Sequence, residues 1–190
     1  DPGAWPRAIA ACGAVMRTLA AEDIRLSLLD MGGGFPARYD AAVPPLGDYG
    51  AQIAAAVDAH LPYPVALAVE PGRALVAEAG TMVAEVIGTA QRGGRTWVHL
   101  DVGAFNGLME ALETGNRLRF PVSDSRGEHD KVAVHLTGPS CDSQDTILYD
   151  VALSRGIRAG DRVFIGTAGA YTTAYASTFN GFAIPATLAR

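Results

Sequence analysis

Five short stretches carry residue types able to do chemistry. In LDMGGGFP, residues 29–36, Gly32, Gly33 and Gly34 follow an apolar run. Without Cβ atoms, three consecutive N–H groups can close on an anion and form a concave donor nest. The same triplet also suits a plain tight turn at a strand end. In VEPGR, residues 69–73, Glu70 ends a short apolar run. A β/α barrel places catalytic groups at such ends, although a surface Glu before a proline turn fits as well. Glu70 with Arg73 three residues on would suit a phosphorylated aromatic ring. The carboxylate would keep a ring nitrogen protonated and the guanidinium would grip the phosphate.

The third stretch, GPSCDSQD at 138–145, sets the thiol of Cys141 beside the carboxylate of Asp142 in a loop opened by Gly138 and Pro139. A proton donor next to a cation-binding group is one use of that pair. A buried structural Cys followed by a turn Asp is the other, and spacing alone prefers it. In LDVGAFNG, residues 100–107, Asp101 interrupts an apolar run. A buried carboxylate there needs a partner, either a local turn or a cation. In GAYTTAYASTFNGF, residues 169–182, the aromatics can pack a core, or Tyr171 can offer its hydroxyl to a phosphate. No second Cys or paired His stands at ligand spacing, so no metal is expected. His60, His99, His129 and His135 are scattered and read as structural or surface groups.

The elements that must hold these residues are legible from periodicity. Ile9, Cys12, Gly13, Met16 and Leu19 share one helical face, which predicts a helix over 5–21. Ile24–Asp30 reads as a buried strand. Asp48 is placed to cap a second helix with an apolar stripe of Tyr49, Ile53, Ala56 and Val57, stopped by Pro62 and Pro64. Val65–Val69 reads as another strand. Helix, strand, helix, strand is a βα repeat with a parallel sheet. Beyond Arg73 the pattern becomes β-rich: Leu75–Ala90 and Thr96–Val102 around an RGG turn at 92–94, a short helix over Asn106–Thr114, then strands over Lys131–Thr137, Thr146–Leu153 and Asp161–Thr167. The expected class is α/β plus β, with a boundary near residue 75: residues 1–75 as the α/β part and 76–190 as a mostly antiparallel β domain. Two strands cannot complete a parallel α/β sheet, which points to a larger whole.

The chain has 190 residues, is 49% hydrophobic and carries a formal net charge of −5, so it can bury a core and has no basic patch for nucleic acid. No apolar run is long enough to span a membrane. No signal peptide is visible and Cys12 and Cys141 form no motif, as expected of free thiols in a cytoplasmic protein.

Together and in this order, the five motifs resemble the fold-type III pyridoxal-phosphate decarboxylases, and most of all their ornithine decarboxylase branch with its bacterial lysine/ornithine members. The resemblance covers essentially the whole chain. It implies the C-terminal part of a (β/α)8 barrel followed by a β domain, with pyridoxal 5'-phosphate as cofactor. Gly32, Gly33 and Gly34 would hold the cofactor phosphate through their backbone, Arg73 and Tyr171 would add side-chain contacts, and Glu70 would pair with the pyridine nitrogen. Asp101 and Asp142 would face the distal ammonium of a diamino acid, Cys141 would reprotonate the substrate carbon, and Phe179 would stand at the rim. Cys141, Asp142 and Phe179 would serve the site of a second subunit, making a homodimer obligatory. The implied reaction is decarboxylation of ornithine or lysine to a diamine for polyamine biosynthesis. Diaminopimelate decarboxylase is the alternative, but those members typically carry Glu after the active-site Cys where this chain has Asp142. A non-catalytic homologue that binds a regulator is the rival of another class. Of fifteen basic residues only Lys131 is a lysine, and its setting, SRGEHDKVAVHL, matches no Schiff-base lysine motif of the family. The resemblance therefore implies a C-terminal portion that is inactive by itself.

Overall fold

The computed structural model describes residues 2–189. Two compact units divide them: one runs through Pro36 and resumes over Ala42–Gly72, and the other comprises Ala37–Ala41 and the chain from Arg73 onward.

The first unit consists of α1 (Ala4–Ala21), β1 (Leu28–Asp30), α2 (Leu46–His60) and β2 (Ala66–Ala68). β1 and β2 pair in parallel, from Leu28 opposite Ala66 to Asp30 opposite Ala68. Helix α1 buries Ile9, Gly13 and Met16, one stripe at helical spacing. Gly13 allows α1 to approach the end of α2, where Arg17 Nη1 donates to the His60 carbonyl at 3.0 Å. Trp5 stacks on Phe35 with ring centroids 4.9 Å apart, and Phe35 meets Tyr49 edge-on. Phe35 thereby anchors the chain just beyond the glycine triplet.

Both strands are shorter than the apolar runs predict. Ile24 and Leu26 are exposed and precede β1. Asp48 does not cap α2: the helix starts at Leu46, behind an extended Pro45, and Asp48 lies in its first turn. There it still favours the positive end of the helix dipole.

From Arg73 the second unit continues with helical turns over Arg73–Val76 and Ala77–Ala79, so the strand expected from Leu75 starts only at Met82. Six strands follow: β3 (Met82–Arg92), β4 (Arg95–Leu100), β5 (Val122–Asp124), β6 (Lys131–Thr137), β7 (Thr146–Ser154) and β8 (Arg162–Ile165). They form one sheet in the order β5-β8-β3-β4-β6-β7. Only β4 and β6 run parallel; the other pairs are antiparallel, as a mostly antiparallel domain requires. Alternate residues Met82, Ala84 and Val86 point inward and join Val98, Leu100, Leu136, Leu148 and Ile165 in the core. Gly93 and Gly94 both have positive φ, 57° and 72°, and close the β3–β4 hairpin in two residues. The helix expected over Asn106–Thr114 is split into a wide π-turn, Ala104–Leu108, and a single α-turn, Glu110–Glu113.

β5 and β7 are the two outer strands, and a side chain rather than a ladder joins them. Asp124 of β5 accepts the backbone N–H of Ser154 at 2.9 Å and its hydroxyl at 2.7 Å, with further N–H groups from Arg126 and Gly127. Burial alone would raise the Asp124 pKa, but these hydrogen bonds outweigh it and hold the group below its ordinary value. A depressed folded-state pKa contributes stability above the unfolded value that is lost as pH falls through the folded one. The melting-temperature gap between wild type and D124N should therefore be full at neutral pH and close below about pH 4. A gap that persists in acid would refute this account.

Candidate active site

In the first unit, the chain leaving β1 forms the glycine turn and the chain leaving β2 reaches Glu70. The two are laced together: Met31 N–H donates to Ala68 O at 3.0 Å, and Glu70 N–H to Gly32 O at 2.8 Å. Each glycine has a distinct reason to be glycine. Gly32 and Gly34 take positive φ, 68° and 87°, while a Cβ on Gly33 would stand 2.7 Å from the Glu70 carbonyl oxygen. The N–H of Gly32 is committed to Asp30 Oδ1 at 2.8 Å. The N–H groups of Gly33 and Gly34 remain for an anion. The glycine turn and the Glu70 carboxylate thus come from adjacent strand ends, an arrangement that fits a ring bearing a phosphate on one side and a basic nitrogen on the other.

In the second unit, Arg73 is held by two residues that sequence reasoning missed. Its Nη1 donates to the Tyr39 hydroxyl at 2.7 Å, and its Nη2 donates to Glu110 Oε1, whose side chain is only 7% exposed. The guanidinium also lies 5.0 Å from the centroid of the Tyr171 ring. Tyr171 therefore offers its ring face to Arg73, at a backbone φ of +54° that non-glycine residues seldom adopt. Burial disfavours the Arg73 charge, but its hydrogen bonds to Glu110 and Tyr39 outweigh it and raise its pKa.

The third group surrounds Cys141, an exposed free thiol at the tip of the 138–145 loop. Asn180 Nδ2 points to its sulfur at 3.7 Å, and Phe179 packs on Phe105 with centroids 4.7 Å apart. The FNG turn and the Cys141 loop are thus neighbours. Asp142, beside Cys141, uses Oδ1 to accept the Gln144 N–H at 2.8 Å. Asp101 departs from expectation. It is exposed rather than buried, and its Oδ1 accepts the Glu85 N–H at 2.8 Å. Its own N–H donates to Glu85 O, so it bridges the register shift of β3 between Val86 and Gly88. The local-partner reading of Asp101 is therefore satisfied.

The histidines take structural places. His135 is buried, accepts the Asp150 N–H at 3.1 Å and meets Trp97 and Tyr149 edge-on, and His99 pairs with Thr137. No helix of the described residues is long and apolar enough to cross a membrane.

Known proteins share both sequence and fold with this chain. Residues 18–169 match the family model of the pyridoxal-dependent decarboxylase C-terminal sheet domain. The lysine/ornithine decarboxylase of Selenomonas ruminantium is 34% identical over 179 residues, 88% of this chain and 42% of that protein. The diaminopimelate decarboxylase of Escherichia coli K12 is 32% identical over 184 residues, 89% of this chain and 44% of that protein. The crystal structure of lysine/ornithine decarboxylase from Vibrio vulnificus, complexed with cadaverine, superposes with a TM-score of 0.83 at 37% identity, covering 96% of this chain and 48% of that one. The chain thus spans less than half the length of these relatives. With the family model matched over most of its length, and with a nearly closed mixed sheet following two parallel strands, the chain belongs to the pyridoxal-dependent decarboxylases.

Proposed function

We propose that this chain forms the C-terminal part of a pyridoxal-phosphate-dependent decarboxylase that converts ornithine or lysine to the corresponding diamine, a step of polyamine biosynthesis. The observation that carries the reading is the Cys141 loop: an exposed thiol next to a carboxylate, held by Asn180 and flanked by Phe179. When bound, the cofactor supplies the electron sink for the pair left by departing carbon dioxide. Several roles fall to residues of this chain. By the family resemblance, Glu70 would keep a proton on the ring nitrogen, and Gly33, Gly34, Arg73 and Tyr171 would each serve the phosphate, with Gly32 shaping the turn. Cys141 delivers a proton to the substrate α-carbon, and Asp142, with Asp101, attracts the distal ammonium. A homodimer with shared sites follows the family resemblance, with Cys141, Asp142 and Phe179 serving the second subunit. Lys131, exposed at the start of β6, is not the residue that binds the cofactor covalently.

Relatives that act on diaminopimelate sustain a second reading. Asp142 favours the first: a distal ammonium calls for a carboxylate, whereas a distal carboxylate calls for a cation. The whole protein of which this chain is a part should decarboxylate ornithine and lysine in preference to diaminopimelate and arginine. Replacing Cys141 by alanine should lower kcat about 100-fold, the usual worth of a positioned proton donor. Activity on diaminopimelate alone would overturn the substrate assignment. Turnover unaffected by C141A would overturn the role of the thiol.

A further inference from the structure

Asp145 is 2% exposed and sits at the centre of four contacts. Its backbone oxygen accepts the Gly138 N–H at 2.8 Å, closing the base of the Cys141 loop. Its backbone N–H donates to Asp142 O at 3.0 Å. Its carboxylate accepts the N–H of Ser140, the residue before Cys141, at 3.0 Å through Oδ2. Through Oδ1 it accepts the N–H of Ala104 at 2.7 Å, in the loop that follows Asp101.

Two glycines make room for that carboxylate. A Cβ on Gly103 would stand 2.6 Å from Gly138 Cα and 2.7 Å from Asp145 Cγ, and a Cβ on Gly138 would strike both carboxylate oxygens. The motifs LDVGAFNG and GPSCDSQD thus meet at one side chain, with glycine on each side of it.

We propose that Asp145 is a positioning residue. It fixes the Cys141–Asp142 tip against the Asp101 loop and so sets the spacing between the thiol and the two carboxylates. The proposal rests on the reading of those three residues as substrate-facing. Asparagine has the same shape but only one acceptor oxygen. In D145N, one of the two N–H groups, from Ser140 or Ala104, must face an N–H₂ donor.

Three proteins test this as full chains with cofactor: wild type, D145N and G138A. G138A keeps the carboxylate but pushes it aside, since a Cβ there would strike both of its oxygens, so it disturbs the same hydrogen bonds by a second route, and the readouts are taken on whichever variant folds. The primary measurement is the iodoacetamide alkylation rate of Cys141 relative to Cys12, followed by peptide mass spectrometry; Cys12 lies on α1 and serves as internal reference. Release of the tip should raise this ratio roughly fivefold, the factor that corresponds to one lost hydrogen bond. The kcat should fall with little change in KM or in cofactor absorbance, since the thiol moves while the cofactor residues do not. A lower melting temperature with an unchanged alkylation ratio and unchanged kcat, in both variants, would make Asp145 merely structural and overturn the proposal. A wild-type protein inactive on every amino acid tried would instead overturn the proposed function, and the alkylation ratio would still decide the role of Asp145.

Discussion

Substitution of Gly169 by alanine should cost the second unit about 3 kcal/mol or more, the sum of a backbone clash and of hydrogen bonds forced apart. The new Cβ would enter the van der Waals shell of the Val76 carbonyl oxygen and stand 2.9 Å from Gly80 N. Both obstacles are backbone, so no rotamer change relieves them. Neither segment can retreat freely: Gly169 N–H donates to Ala77 O and Ala168 N–H to Gly80 O, each at 2.9 Å. The strain would fall between Arg73 and Tyr171, because the helical turns beginning at Arg73 run into this contact and Tyr171 follows two residues later. Thermal unfolding checks the prediction, with Gly88→Ala as the control. A Cβ on Gly88 meets nothing within 4 Å, so that change should be close to neutral. Equal melting temperatures for the two variants would show that the close approach at Gly169 is not obligatory.

Replacement of Glu110 by alanine is the second large effect, and its size should depend on whether phosphate is present. Removing one partner of a buried ion pair strands the other charge, at a cost of several kcal/mol when burial is complete. The Arg73 side chain retains 26% exposure, so a loss of about 2 kcal/mol is expected for the cofactor-free protein. If Arg73 meets the cofactor phosphate, that anion replaces the missing carboxylate. The stability gap between E110A and wild type should then narrow with saturating pyridoxal phosphate but not with pyridoxal, which lacks the phosphate. Melting curves with each compound decide the matter: the same gap under both would place Arg73 away from the phosphate. Glu110 and Tyr39 hold the guanidinium in place and leave Nε and the second N–H of each terminal nitrogen without a protein partner among these contacts.

Local features of the fold were readable from local sequence. The helix predicted over 5–21 matches Ala4–Ala21, the strand over Lys131–Thr137 has the same bounds, and the RGG turn closes the β3–β4 hairpin. Each depends on neighbours within a few residues, where periodicity and turn chemistry act. β5 carries no periodic signal because Val122–Asp124 is three residues long and two of them are polar; its place is set by pairing with β8 and by Ser154. The site divides along the same line. Gly32, Gly33, Gly34 and Glu70 announce themselves as strand-end motifs. Tyr39 and Glu110 do not, because they reach Arg73 across 34 and 37 residues with no motif of their own. Asp101 was misjudged as buried because the apolar run around it belongs to β4, and the run ends one residue before it. Asp145 lay inside a recognised motif but at its silent end; only the folded loop shows that it touches both Ser140 and Ala104.

The segment Ala37–Ala41 belongs to the second unit although chain of the first unit lies on both sides of it. Three peptide links therefore join the units, and no single scission can part them. A protease cut between Gly72 and Arg73 would leave Tyr39, which packs edge-on against Phe120 and hydrogen-bonds Arg73, on the other piece. The sheet domain expressed from Arg73 onward would lack those contacts and the Arg38 carbonyl that accepts the Thr167 hydroxyl at 3.1 Å. During synthesis this segment must likewise wait for Thr167, 129 residues downstream of Arg38, before its last contact can form. The sequence of the first unit is thus interrupted by five residues of the second, and a gene cut into two pieces would have to move those five residues to keep each unit whole.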